Sequence, residues 1–153
     1  MDHLNRYYHM KHIQYLLFTL CLLFVTNGAQ AQLAAGRTRT TVIADALAQL
    51  PAETPQQYNQ VIADLVTTGE AGLLELIGRM NPPGNQSNET IEFAISGWTH
   101  YTATNNAARE ATANAFEKAL AQPLHNEIKA FVVRQLRTIA TNDNVAALAL
   151  LLT

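Results

Sequence analysis

Apolar residues along this chain recur every three or four positions, and almost nowhere at every second one. That period marks helices with one buried face. Over 40–50 the apolar set is Val42, Ile43, Ala46, Leu47 and Leu50. Pro51 ends the segment, because proline lacks the N–H that a helical ladder needs. Thr54-Pro55 predicts the next start, a hydroxyl cap with proline in the first turn. Its face is Tyr58, Val61, Ile62, Leu65 and Val66, and Gly69 is its expected stop. A short helix over 70–80 sets Leu73, Leu74, Ile77 and Met80 on one side, with Gly72 and Gly78 each weakening it by about 1 kcal/mol. The stretch 81–88 (NPPGNQSN) is a loop.

Beyond that loop, 89–103 predicts a helix with two apolar strips. Ile91, Ala94, Ile95 and Trp98 form one; Phe93, Gly97 and Tyr101 form the other. Such a helix belongs in a middle layer. Asn105-Asn106 caps 107–122, whose expected inner face is Ala108, Ala111, Ala115 and Ala119 with Phe116 and Leu120. After Pro123, 125–140 turns Ile128, Phe131, Val132, Leu136 and Ile139 inward and Lys129, Arg134 and Arg137 outward. Residues 141–144 are a turn and cap, and 145–152 (VAALALLL) a last helix with no polar face. Paired in order, helices start near 56, 89 and 125, and near 70, 107 and 144. Antiparallel pairs recurring every 30–50 residues predict an all-α fold, a right-handed α-solenoid of about three helix pairs. An irregular helical bundle is the alternative. A terminal helix without a polar face predicts that further repeats or another domain follow it.

The N-terminus has a different character. Residues 1–12 are polar with Arg6 and Lys11, and 13–25 are almost purely apolar. Thr26-Asn27-Gly28 breaks the run, and Ala29-Gln30-Ala31 follows. Basic start, apolar core, break and Ala-x-Ala predict a signal peptide, 1–31, cut after Ala31. The apolar run of roughly 13 residues falls short of the about 20 that a span needs. The expected product, 32–153, is therefore exported, periplasmic or secreted, with no stable membrane insertion. Cys21, the chain's single cysteine, would leave with the signal, so no disulfide or thiolate chemistry remains. A net charge of −2 offers no basic footprint for nucleic acid.

Candidate chemistry is thin. His100 and His125 are the histidines beyond the signal and lack HxH or HExxH spacing, so neither a metal site nor a cofactor is expected. Glu92, Ser96 and His100 fall at i, i+4 and i+8, an order compatible with proton transfer, though a polar surface stripe is the simpler reading. Glu89 with Glu92, and Glu110 with Glu117, read as solvated carboxylates. No catalytic residue is assigned. The binding candidates are Trp98, His100 and Tyr101 as an aromatic contact for a sugar ring or peptide, and Lys129, Arg134 and Arg137 for an acidic partner.

Four stretches carry a family resemblance: TVIADALAQLPA, YNQVIADLVTTGEAGLLELIGRMNPPG, ISGWTHYT and EIKAFVVRQLRTIATNDNVAALA. Together they resemble the N-terminal HEAT-type helical repeats of exported bacterial envelope proteins, with the MNPPG loop and the KAFVVRQL helix the most specific parts. In some of those proteins the repeats precede a domain resembling the 3-keto-disaccharide hydrolases. The resemblance implies a scaffold or protein-interaction module, not itself an enzyme. Its partner would be another protein or a C-terminal domain of the same parent chain, one that acts on carbohydrate.

Overall fold

The computed structural model describes residues 37–141 together with Asn144 and Ala149. The expected signal segment with its Ala29 and Ala31 cleavage site, and nearly all of the expected last helix over 145–152, lie outside the described residues. Among the described residues the fold is all-α, with six helices and no strand: α1 (Arg39–Ala48), α2 (Pro55–Val66), α3 (Gly69–Gly78), α4 (Glu89–Thr102), α5 (Asn106–Leu120) and α6 (Asn126–Ile139). None is long and apolar enough to cross a membrane.

The boundaries follow local chemistry. Thr54 Oγ1 accepts the Gln57 N–H at 3.2 Å, and Pro55 occupies the first turn of α2. Asn105 Oδ1 accepts the Ala108 N–H at 3.0 Å and starts α5. His125 Nδ1 accepts the Glu127 N–H at 3.3 Å and starts α6. Caps of this kind contribute about 1 kcal/mol each. Between α2 and α3 the chain reverses at Gly69, whose φ of 64° is open to glycine and costly for a residue with Cβ. Asn88 does not cap α4 with its side chain. Its amide instead accepts the Asn81 N–H and donates to the Asn81 carbonyl, both at 2.8 Å, which pins the two ends of the 81–88 loop together. Ser87 Oγ accepts the Glu89 N–H at 3.2 Å in its place.

Each helix packs on its neighbour in sequence and on the next but one. One row runs α1, α3, α5 and the other α2, α4, α6. Helix α4 is the hub, in contact with the five others. Its second expected strip needs correction: Gly97 is buried under Tyr58 and Ile62 of α2, but Phe93 and Tyr101 are 44 % and 48 % exposed, because α2 closes on the glycine and leaves the flanking rings at the surface. Ile43, Ile62, Leu65, Leu73, Leu76, Ile95, Phe116, Val132 and Leu136 are fully enclosed. The expected inner face of α5 needs correction: Ala111 is exposed and Ala108 half-buried, whereas Thr112 and Ala113 are buried. Its three neighbours α3, α4 and α6 divide the helix surface among them, so the buried arc is wider than one alanine stripe.

Polar groups inside the hub are satisfied by its own backbone. Thr99 Oγ1 donates to the Ile95 carbonyl at 2.9 Å, and Thr102 Oγ1 to the Trp98 carbonyl at 3.0 Å. Three ion pairs lie along the α1–α3–α5 row among the described residues. Glu75 of α3 accepts from Arg39 Nε and Arg79 Nη2, each at 2.7 Å. Lys118 of α5 pairs with Glu70 of α3 at 2.7 Å.

Two predictions follow from this packing. Tyr58 and Ile62 of α2 lie directly over Gly97 of α4, and a Cβ there would meet the Tyr58 hydroxyl and come within 2.7 Å of Ile62 Cδ1. Overpacking costs about 1–3 kcal/mol, against a helix-propensity gain of about 1 kcal/mol. Gly97→Ala is therefore expected to lose about 1 kcal/mol in urea unfolding, and Tyr58→Phe in the same chain to recover part of it. Hydrogen bonds from Arg39, then Arg79, hold the Glu75 carboxyl below its usual pKa. A lowered folded pKa adds stability above the unfolded value and loses it as pH falls through the folded one. The stability gap between wild type and Glu75→Gln is expected to be smallest in acid, to widen with rising pH, and to level off above about pH 5. A gap independent of pH would contradict this.

Candidate functional site

The aromatic candidates do not converge. Trp98 is buried at 2 % exposure, and its indole N–H donates to Thr112 Oγ1 at 3.2 Å. The Thr112 hydroxyl in turn donates to the Ala108 carbonyl at 2.8 Å. Trp98 thus fastens α4 to α5 and forms the floor of a shallow recess of about 180 Å³ beside Val66, Leu73 and Ala115. His100 and Tyr101 are exposed, and no hydrogen bond or ring contact joins them to Trp98. The ring pair that does form is Tyr58 with Phe93, centroids 5.2 Å apart and tilted by 52°. Burial of Tyr58 raises its phenol pKa above the usual value.

The stripe of Glu92, Ser96 and His100 is not linked either. Ser96 Oγ accepts from Gln135 Nε2 of α6 at 3.2 Å, and no hydrogen bond joins it to Glu92 or His100. Of the carboxylates considered in pairs, Glu117 accepts from Asn144 Nδ2 at 2.7 Å, and Glu110 is exposed. Among the described residues no group of three His, Cys, Asp or Glu side chains is placed to hold a metal ion.

The cations of α6 separate for a geometric reason. Lys129 and Arg134 are five residues apart, about 140° around a helix of 3.6 residues per turn. Glu127 and Arg134, seven apart, share a face. Arg137, in the last turn, is exposed where a cation complements the helix C-terminus. Arg134 sits 5.8 Å from the Phe131 ring centroid and borders a groove.

That groove, of about 330 Å³, is the main concave feature near these candidates. It is lined by the 81–88 loop, the first turn of α4 and the stretch of α6 from Glu127 to Arg134, with Met80 and Ile128 its buried apolar residues. Asn81, Gln86, Glu92, Glu127 and Arg134 face it. None of the last three has an ion-pair or hydrogen-bond partner for its charged end among the described residues. Arg134 alone was singled out from the sequence as a binding residue. Gln86 and Glu127 carried no signal beyond loop composition and the preference of acidic residues for a first turn. Nothing in a helical period says that residues forty positions apart line one cavity.

No protein-family model, curated protein or solved structure matches the chain.

Thr112→Val tests the structural role of the indole. It leaves the Trp98 N–H buried without an acceptor, a loss of about 1–3 kcal/mol in urea unfolding. Trp98 fluorescence should report the same transition. An unchanged midpoint would mean the indole finds another partner.

Proposed function

We propose that the chain is an exported helical-repeat scaffold, a protein-interaction module with the stacked helix pairs of a right-handed, HEAT-like α-solenoid. The observation that carries the reading is the packing order. Helices two apart in sequence lie side by side, in the rows α1–α3–α5 and α2–α4–α6. Corresponding helices start at recurring intervals of 30 to 37 residues, at Pro55, Glu89 and Asn126 in one row and Arg39, Gly69 and Asn106 in the other. A chain that propagates by one contact rule presents long faces, and such faces hold other proteins. The resemblance to envelope-protein HEAT repeats supports the same reading. It points to a protein partner, or a C-terminal domain of a larger carbohydrate-acting protein, as what the scaffold holds. The basic start, apolar run and Ala29-Gln30-Ala31 support export.

Two measurements test this reading. In a bacterial host the product is expected outside the cytoplasm with an intact mass starting at Gln32; a cytoplasmic product retaining residues 1–31 would overturn export. In a stacked row, stability is a sum over nearest neighbours. Leu136→Ala, which costs about 2–5 kcal/mol at a fully buried site, is expected to strip hydrogen-exchange protection from α5 and α6 first and from α1 and α2 least. Equal loss across all six helices would favour one undivided bundle. Turnover of a 3-keto-disaccharide by this chain alone would replace the scaffold reading with an enzyme.

A further inference from the structure

We propose that the groove lined by the 81–88 loop, the first turn of α4 and residues 127–134 of α6 binds a free dibasic α-amino acid, lysine or arginine. This inference rests on the groove itself and not on the scaffold reading. Its volume of about 330 Å³ lies at the lower end of the range, about 300–1,000 Å³, of small-molecule sites. Two carboxylates and one guanidinium, those of Glu92, Glu127 and Arg134, border it. These opposite charges share one cavity, yet none lies within ion-pair distance of another. Glu92 is half-buried, whereas Glu127 and Arg134 are exposed, so a ligand carrying both signs of charge can bridge them. Elsewhere the chain does close such contacts: Glu75 meets two arginines and Glu70 meets Lys118, all at 2.7 Å.

The charges then select the ligand. Lysine and arginine carry two cations and one carboxylate at neutral pH, the mirror of the groove. A simple anion would meet two carboxylates, and a simple cation would meet Arg134. A neutral polyol would cover three charges without compensating any of them, and partly desolvated charges without partners are costly. Both glutamates lie in the first turn of a helix, where an acidic side chain complements the free backbone N–H groups. The walls are set before binding. Pro82 and Pro83 stiffen the loop, and the Asn88 amide clamps its ends through Asn81. The ligand therefore has little loop ordering to offset on binding.

The test is a titration of the ¹⁵N-labelled chain with L-lysine at low ionic strength, because exposed charge pairs are screened by salt. Saturable shifts are expected at the amides of Gln86, Glu92, Glu127 and Arg134, with a midpoint on the order of 1 mM, since such pairs are individually weak. Lysinamide, without the carboxylate, and Nα-acetyl-lysine, without the α-ammonium, should each bind several-fold more weakly. Glu92→Gln and Glu127→Gln should weaken lysine by about tenfold or less. Arg134→Gln should abolish the preference for lysine over lysinamide, a readout that a merely structural role would not move. The proposal fails if the shifts stay linear in ligand, or if lysine, lysinamide and acetyl-lysine bind alike. It also fails if glucose or a polylysine peptide saturates the same amides more tightly than lysine.

Discussion

The packing of five helices against one is the constraint on which the rest of this structure depends. Helix α4 touches each of the other five described helices. Ala94, Ile95, Gly97, Trp98, Thr99 and Thr102 of this helix are buried, while Glu89, Phe93, His100 and Tyr101 stay exposed. Toward α2 it offers Gly97, which lets Tyr58 and Ile62 approach the backbone. Toward α5 it offers Trp98, a large apolar body whose single donor finds Thr112. The threonines that remain inside, Thr99 and Thr102, return their hydroxyls to carbonyls of their own helix. Each large side chain enclosed around this hub adds about 1.5–3 kcal/mol of burial.

Order in the chain becomes order in space from there. With short connections, a helix buries its face first on its sequence neighbour and then on the next helix of the same row. This is why charged contacts such as Glu70 with Lys118 join residues 48 apart without any long loop. The one extended connection, 81–88, is where the regular succession of helices is interrupted, and it is also where a groove opens. A loop clamped by its own Asn88 makes a fixed wall that a tight turn could not. The proposed scaffold role and the proposed amino-acid site therefore use different parts of the molecule: the long helix rows and the one break between them.

Much of the fold was legible in the residues. The helix starts at Pro55, Glu89 and Asn126 fall within a residue or two of where proline, loop composition and capping side chains put them. The reading of 89–103 as buried on two apolar strips matches Ala94, Ile95 and Trp98 and fails for the second strip, of which Gly97 is buried while Phe93 and Tyr101 are exposed. The α5 face was less legible. Alanine is small enough to sit inside or outside, so Ala108, Ala111 and Ala113 carry almost no orientation signal, and the positions of α3, α4 and α6 decide among them. The candidate site was the least legible. Trp98, His100 and Tyr101 are near one another in sequence and separate in burial, whereas Glu92 and Arg134 are far apart in sequence and border one groove.

By itself, then, the sequence determined the helices, their limits and which faces are apolar, because propensity, capping and period act over a few residues. The partner of each face, the close approach over Gly97, the enclosure of Trp98 and the meeting of Glu92, Glu127 and Arg134 were decided only by the tertiary structure. Those outcomes depend on how rigid helices share space, and no local pattern carries that information.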